Sequence, residues 1–277
     1  MALAESKGLI LFAKNHREND MLVKIFTESA GKQMFYAKGI QRKNQPLKAA
    51  VQPFTQAVYI GTFNSENLSF LNSAKDIQPF LNIQQDIFLA GYATYLLNLA
   101  DAAIEDRVHD PNLYHFLAQS LLFIDQGYDA EIITNIFEIQ ILQRFGVLFD
   151  WQHCTICGES HGKYVYSSKY HGILCEKHQY LDARHYPTDY KMMQLVRIFS
   201  QIRYEQINQL DLKPETKQRL RQFIDFLYDE YVGIHLKSKK FIDQMKNWQD
   251  ILIKPETNSA TESNECKRPI TRCISSF

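Results

Sequence analysis

The chain has 277 residues and carries 31 acidic and 31 basic side chains, so its formal net charge is zero. This length predicts more than one module, since domains usually run to roughly 100–200 residues. A hydrophobic content of 45%, with few and scattered glycines and prolines, excludes a fibrous or wholly disordered chain. No stretch approaches the roughly 20 apolar residues of a membrane span, and the first residues lack the order of a signal peptide. We therefore expect a cytoplasmic protein that does not contact a membrane.

The zero net charge hides an uneven distribution along the chain. Lys and Arg outnumber Asp and Glu by nine to four in residues 1–50, are outnumbered by three to twelve in residues 51–150, and lead by sixteen to twelve in residues 151–254. A basic first part could face a polyanion while the acidic middle faces elsewhere. Charged runs are also usual on solvated faces, so composition alone leaves both interpretations open.

The first part of the chain reads as short strands separated by turns. Five runs are rich in β-branched and aromatic residues and are bounded by turn-prone groups: residues 8–13, 21–27, 31–37, 53–61 and 68–71. Five strands in a segment of this size are typical of a small antiparallel barrel, of which the oligonucleotide-binding (OB) fold is one. We therefore predict an N-terminal OB-fold barrel over residues 1–80, although strand number alone does not separate it from other small barrels.

A cationic loop over residues 38–48 follows the third predicted strand. The basic residues of this loop and of the segment before it are Lys14, Arg17, Lys24, Lys32, Lys38, Arg42, Lys43 and Lys48. Such a loop can follow the phosphates of a nucleic acid, and outward-facing rings among Phe35, Tyr36, Tyr59 and Phe63 would stack on unpaired bases. Half or more of these rings are expected in the barrel core, and the loop by itself is a weak sign of nucleic-acid binding.

From about residue 82 the apolar spacing becomes helical. Asn82 is a candidate N-cap of a first helix, and residues 113–124 form a second. Asp129 can cap a third helix that ends at Gly146. This pattern predicts that helices dominate residues 81–254.

The strongest chemical signal lies at Cys154-Thr-Ile-Cys157, which is followed after seventeen residues by Cys175-Glu-Lys-His178. Two ligand pairs of this spacing are typical of structural zinc sites, since each tight turn lets two ligands reach one tetrahedral ion. The odd count of five cysteines also fits reduced thiols at a metal better than a disulfide framework. We predict a structural Zn²⁺ site in a knuckle at about residues 150–186.

Other interpretations of this segment remain open. Cys154 and Cys157 could form a redox pair, and His153, His161 or His171 could replace His178 as the fourth ligand. A hydrolytic zinc usually keeps one position open for water, whereas this set can close the coordination sphere. Chemistry at the metal is therefore not expected.

The last part of the chain returns to helices. Thr188 begins one through about Tyr204, and Pro214 begins a longer one with an apolar stripe that is expected to pack in the core. A second basic group lies on or after it: Lys217, Arg219, Arg221, Lys237, Lys239 and Lys240. This group either extends the basic surface or is the solvated face opposite the stripe. The polar residues 255–277, with Cys266 and Cys273, are expected to form a disordered tail.

Several short landmarks follow one another along the chain. They are Arg17-Glu-Asn-Asp20, Phe26-Thr27 with Gly31, Ala37-Lys-Gly39, and Phe137-Glu-Ile-Gln-Ile-Leu142 shortly before Cys154-Thr-Ile-Cys157-Gly158. Their order resembles that of the RecO family over roughly residues 3–250. The chain departs from the family's pattern at His178, where a fourth cysteine is frequent, and at Gln140, where an arginine is common.

The resemblance implies an α+β protein with an OB fold, a helical domain that carries a zinc knuckle, and no catalytic turnover. It also implies binding to single- and double-stranded DNA, annealing of complementary strands, and recombinational DNA repair at the nucleoid. The implied partners are RecR and single-stranded-DNA-binding protein, with which such a protein helps to load RecA. Lys38, Arg42 and Lys43 are carried over as phosphate contacts, and Lys14, Arg17 and Lys48 complete the expected DNA-binding set.

Two alternatives belong to other functional classes. A zinc-ribbon RNA-binding or transcription-associated factor would share the basic barrel and the closed zinc site but would prefer RNA. An enzyme is the other alternative, but the sequence has no P-loop, nucleophile elbow, zincin motif or dinucleotide-binding glycine motif. The acidic residues of the middle part also show no evident pair of catalytic carboxylates.

Overall fold

A computed structural model describes residues 3–64, 66–207 and 212–253, with side chains to residue 245. The expected tail over residues 255–277, with Cys266 and Cys273, lies outside these ranges. The first part comprises β1 (Leu3–His16), β2 (Asp20–Thr27), β3 (Gly31–Ala37), a short helix α1 (Leu47–Ala50), β4 (Thr55–Thr62) and β5 (Ser69–Pro79). The second part comprises α2 (Leu81–Gln85), α3 (Ile87–Ala103), α4 (Pro111–Asp125), α5 (Ala130–Ile141), β6 (Tyr164–Ser167), β7 (Gly172–Cys175), α6 (Tyr190–Phe199), α7 (Pro214–Leu227) and α8 (Lys237–Ile253). The predicted α+β class is confirmed.

The five N-terminal strands close into a barrel in the order β1-β2-β3-β5-β4. Four of the pairings are antiparallel, and the short pairing of β3 with β5 is parallel. The barrel is therefore OB-like, as the strand pattern predicted. The fifth strand extends beyond the predicted residues 68–71. The sequence pattern did not indicate this extension, because most side chains beyond Leu71 are exposed and polar and give no apolar alternation.

Side chains from alternate positions along the strands fill the interior of the barrel. On β4 every second residue from Thr55 is buried, as expected for a strand with one face in a core. Phe35 and Tyr59 are fully buried, and the Tyr59 hydroxyl donates a hydrogen bond of 2.7 Å to the carbonyl oxygen of Ala50. The short helix α1, which holds Ala50, packs against β4 and β5.

A bulge between β4 and β5 shapes the outer face of the barrel. The register shifts between Ile60 and Gly61, and a Cβ at Gly61 would clash with the carbonyl oxygen of Phe70. Only glycine allows this close backbone approach. Phe70 is thereby held on β5 with its side chain exposed.

One apolar core lies between the barrel and the helices, and a second fills the barrel itself. Leu9 and Phe26 belong to the same buried cluster as the residues of α3, α4 and α5, and the ring of Phe26 packs edge-to-face on Tyr114 with ring centroids 5.7 Å apart. At the rim of this junction Gly31 has φ +66° and lies against the backbone of Val108, where no side chain would fit. Among the described residues, no helix is long and apolar enough to cross a membrane.

Aspartates cap helices α3 to α6. The Asp129 side chain accepts from the first amides of α5, and Gly146 follows that segment with φ +80°, as predicted. Asn82 is not the expected N-cap: Asp86 accepts from the amides of Phe88 and Leu89 and begins α3. The Asn82 amide instead donates 2.7 Å to the carbonyl oxygen of Asp125, which takes it out of the capping position.

The helix predicted from Thr188 to Tyr204 is shorter than expected. It begins after Asp189, whose carboxylate accepts from the Met192 amide at 2.7 Å, and it ends at Phe199. The side-chain amide of Gln140 donates to the carbonyl oxygens of Phe199 and Ile202 at 2.7 and 2.8 Å. These hydrogen bonds satisfy the end of the helix and direct the chain away from it.

Candidate nucleic-acid interface and metal site

A small hairpin and two tight turns form the cysteine-containing segment. Cys175 ends β7 and pairs with Tyr164 on β6. The Gly158 amide donates to the carbonyl oxygen of Cys154 at 2.8 Å, and the His178 amide donates to that of Cys175 at 2.8 Å. Gly158 has φ +72°, which glycine adopts without strain. Each pair of candidate ligands therefore lies on its own tight turn.

The four predicted metal ligands lie together. Their ligand atoms are all within 4.8 Å of one another. The Cys157 and Cys175 Sγ atoms are 3.8 Å apart, and the His178 Nδ1 lies 3.7 Å from the Cys154 Sγ and 3.4 Å from the Cys175 Sγ. A tetrahedral ion with Zn–S bonds of about 2.3 Å places two sulfurs about 3.8 Å apart. The donor set could therefore hold one tetrahedral ion.

The other candidate histidines are engaged elsewhere. The His153 Nδ1 lies 2.8 Å from Asp150, the exposed ring of His161 lies beside Ser160, and His171 packs edge-to-face on Tyr231. The geometry thus favours His178 as the fourth ligand.

Burial and backbone amides shift the pKa values of the Cys154 and Cys175 thiols. Burial would raise the pKa of the Cys154 thiol, but backbone amides of Cys175, Cys157 and Ile156 stabilise the thiolate and hold its pKa at about 6. Burial dominates at Cys175 and raises the pKa of that thiol. Cys154 is therefore a thiolate at neutral pH, which is the form that binds a metal.

Arg197 on α6 connects the cysteine-containing segment to the helices through hydrogen bonds. Its guanidinium donates to the carbonyl oxygens of Trp151 and Gln152 at 3.1 Å each and of Ser160 at 2.8 Å. It also lies over the ring of Tyr164, 4.5 Å from the centroid. The knuckle is therefore held against the helical core by contacts outside the ligand set.

The cationic loop of the barrel lies beside the β1–β2 turn. The Gln41 amide donates to the carbonyl oxygen of Asn19 at 3.0 Å. Asp20 accepts from the Gly39 amide at 2.7 Å and from the Tyr36 hydroxyl, and these hydrogen bonds lower the pKa of its carboxyl. Asp20 thus ties the start of the loop to β2 and brings the basic residues of the loop next to Arg17.

The predicted DNA-binding residues are all exposed, namely Lys14, Arg17, Lys38, Arg42, Lys43 and Lys48. In the part of the chain that the structure describes, none of them is in an ion pair with a carboxylate. Four of them lie on the loop and the adjacent turn, Lys14 is on β1, and Lys48 is on α1.

Several other basic residues pair with carboxylates instead. Lys24 and Lys32 pair with Asp101 at 2.7 and 2.9 Å and lie at the junction with the helices. In the second basic group, four residues are engaged by carboxylates: Lys217, Arg219, Arg221 and Lys239. Those four side chains pair with acidic residues of the helical part, and Arg219 stays largely exposed.

Two family models match the chain and together span most of it. "Recombination protein O N terminal" matches residues 1–80 and "Recombination protein O C terminal" matches residues 84–240. Three relatives are each described as "DNA repair protein RecO". The protein of Enterococcus faecalis is 59% identical over 92% of this chain and 97% of its own length. Those of Streptococcus suis and Lactococcus lactis subsp. cremoris are 46% and 44% identical, over 95% and 90% of this chain and 100% and 98% of their own lengths.

The chain belongs to the RecO family. The resemblance predicted from the landmarks is confirmed, and the chain is a DNA repair protein by family. Gln140, where an arginine is common in RecO proteins, is half-buried and hydrogen-bonded to the end of α6. In this member of the RecO family that side chain is part of the helical packing.

The structure also adds residues to the basic surface that sequence reasoning missed. His16 and Phe70 lie beside Tyr36, with ring centroids 5.9 and 6.0 Å from it, and Asp20 organises the RecO-family landmark Ala37-Lys-Gly39. The period of two along β1 could have placed His16 on the face of Lys14. Phe70 could not be found in this way, because its position depends on the β3–β5 register.

Proposed function

We propose that this protein is a non-enzymatic DNA-binding mediator of recombinational repair that binds single- and double-stranded DNA and anneals complementary strands. The observation that carries the proposal is the exposed set of Arg17, Lys38, Arg42 and Lys43, which have no carboxylate partner among the described residues. Asp20 holds the loop of this set in place. The DNA-binding unit is a domain of residues 1–80, and residues 81–254 form the helical domain with its knuckle at about residues 150–186.

Annealing needs no covalent chemistry. Two complementary strands repel each other through their phosphates, and cations that neutralise phosphates release counterions and lower that repulsion. Guanidinium and ammonium groups on one loop can contact successive phosphates without reading the sequence. The barrel therefore acts as a scaffold on which two strands meet.

The partners and the location proposed for this protein are those expected of a RecO-family member. The partners are RecR and single-stranded-DNA-binding protein, and together they assist the loading of RecA in the cytoplasm, at the nucleoid. This protein supplies DNA contacts in that assembly.

A test of the DNA contacts is the triple variant Lys38→Ala/Arg42→Ala/Lys43→Ala. Fluorescence anisotropy with a labelled single strand, over a salt series, should show weaker binding and a log–log salt slope lower by about 2, at about 0.7 per phosphate contact. The control is Lys169→Ala/Lys191→Ala/Lys213→Ala, which removes three exposed charges that lie outside both basic groups and should keep the slope. An unchanged slope in the first variant would remove the loop from the mechanism. A matched RNA strand that binds more tightly than DNA would favour the RNA-binding alternative.

We further propose that the ion held by Cys154, Cys157, Cys175 and His178 is structural Zn²⁺. Three sulfurs and one imidazole suit this ion and leave no position for water. When bound, the ion supplies folding free energy to a segment with little core of its own, on the order of 10 kcal/mol in zinc-finger peptides.

Metal content tests the zinc proposal directly. Protein purified under reducing conditions should contain one zinc per chain by mass spectrometry of the metal. Cys157→Ser should lose the metal and melt at a lower temperature, while Cys266→Ser, outside the ligand set, should keep both. Metal-free wild-type protein with an unchanged melting temperature would contradict the structural role.

A further inference from the structure

A row of side chains crosses four strands on the outer face of the barrel. The Cα register pairs Lys14 on β1 with Leu22 on β2, Leu22 with Tyr36 on β3, and Tyr36 with Phe70 on β5. Residues paired in register share a face of the sheet. The next residue on β3, Phe35, is fully buried, so this row faces outward.

The centre of the row is aromatic and accessible. Phe70 is 46% exposed, and its ring meets that of Tyr36 edge-to-face, with centroids 6.0 Å apart and planes at 75°. His16 meets Tyr36 on the other side at 5.9 Å and 81°. The Tyr36 hydroxyl donates to Asp20, and this bond raises the pKa of the phenol. The central ring is therefore held in one orientation at neutral pH.

Exposed cations border these rings. Lys14 lies at one end of the row, Arg17 follows His16 in the β1–β2 turn, and Lys38 follows Tyr36 by two residues, where β3 ends. An apolar aromatic surface with cations beside it is complementary to a chain that carries both bases and phosphates. OB folds in general bind oligonucleotides across this face and this turn.

We propose that Tyr36 and Phe70, with His16 at the edge, form a stacking site for the unpaired bases of single-stranded DNA. The proposal rests on the proposed function, because it places the bases of a strand whose phosphates lie on Arg17, Lys38, Arg42 and Lys43. Every base has a π-face, so such stacking tolerates any sequence.

Stacking would make the protein bind single strands differently from double strands. In a duplex the bases cover one another, so the rings find no free face, while the phosphates remain available to the cations. The rings therefore add affinity for single strands alone. A base held by its face also keeps its Watson–Crick edge free, which suits a protein that presents one strand to its complement.

The test compares three labelled probes of the same length, about 16 nucleotides, by anisotropy with the full chain. One is oligo(dT), the second is the same backbone with abasic sites in place of the bases, and the third is a duplex. Tyr36→Leu/Phe70→Leu should bind oligo(dT) at least about 5-fold more weakly, since each lost stack weakens binding by about 5- to 150-fold. Its affinity for the abasic strand and for the duplex should stay that of the wild type.

Matched variants separate stacking from folding. Tyr36→Phe/Phe70→Tyr keeps both rings and should retain binding to oligo(dT). Tyr190→Leu removes an aromatic ring from α6 that is also 46% exposed and should change none of the three affinities. Thermal unfolding and metal content of each variant identify any variant that has lost its fold.

The outcomes divide the two proposals. A leucine variant that is folded and binds oligo(dT) as tightly as the wild type would overturn the stacking site, as would an equal loss for all three probes. If Lys38→Ala/Arg42→Ala/Lys43→Ala then weakens binding to all three, the proposed function stands without the stacking site. A wild-type protein that binds none of the probes overturns both.

Discussion

Glu138 is a fully buried carboxylate at the centre of the helical core. It accepts from Arg221 at 2.9 Å and from the Tyr95 hydroxyl at 2.5 Å, and the Arg221 guanidinium also donates 3.2 Å to Asn135. Burial disfavours the charged form of Arg221, but attraction to Glu138 outweighs it and holds the pKa of Arg221 well above its ordinary value. Arg221 is therefore charged inside the core, where Glu138 and the partly exposed Asp225 are its carboxylate partners.

Removing one member of this pair should be costly. We expect Glu138→Gln to lower the free energy of unfolding by about 3 kcal/mol, because it leaves the buried Arg221 charge with only the partly exposed Asp225 as a carboxylate partner. Glu138→Gln/Arg221→Met should cost less than the sum of the two single variants. Urea denaturation of the four proteins measures this coupling, and additive losses would show that the two charges act independently.

At single residues, sequence chemistry gave several positions correctly and one wrongly. Asp129, Gly146 and Pro214 have the capping and terminal roles that their residue types predict. Asn82 and Asp86 are both good N-caps, and local sequence does not choose between them. The choice comes from the carbonyl oxygen of Asp125, which is distant in sequence.

At the level of elements, strands could be predicted and their pairing could not. The alternation of β-branched and aromatic residues identifies β1 to β4, yet nothing local states that β3 pairs with β5 in parallel. For this reason Tyr36 was a candidate base contact from sequence while Phe70, its Cα partner, was not. Phe35 and Tyr59, which were equal candidates, are in the barrel core.

The ion pairs between the barrel and α3 predict that the stability of the fold depends on pH. Burial raises the pKa of Asp101, but hydrogen bonds from Lys24 and Lys32 lower it more, so the pKa lies below its ordinary value of 3.8. A carboxyl with a depressed pKa stabilises the fold above its ordinary pKa and loses that contribution as the pH falls through the folded value. We expect Asp101→Asn to be less stable than wild type at pH 7 and to lose less stability than wild type on acidification below about pH 4.

Chemical denaturation at several pH values tests this expectation. Asp76→Asn, which changes an exposed carboxylate on β5, is the matched control and should follow the wild-type curve. Parallel curves for Asp101→Asn and wild type would show that the junction does not depend on this carboxylate.

In the whole molecule, the charge pattern of the sequence acts in two ways. Part of the basic excess in the first module is neutralised at the junction, where Lys24 and Lys32 meet Asp101 and Asp106. The basic residues of the loop at 38–43 and the adjacent turn remain exposed. Composition could not separate these two groups, because the difference lies in which face of the barrel the helices cover. The four candidate metal ligands, in contrast, could be predicted as one cluster, because the spacing within each pair is local.

We propose that an exposed cationic loop on the barrel lets complementary strands meet. The most direct measurement is stopped-flow annealing of complementary oligonucleotides coated with single-stranded-DNA-binding protein, with and without this protein, over a salt series. We expect the protein to accelerate annealing, and we expect this acceleration to fade as the salt concentration rises. The acceleration should be smaller with Lys38→Ala/Arg42→Ala/Lys43→Ala. No acceleration at any salt concentration, or full acceleration by that variant, would contradict the proposal.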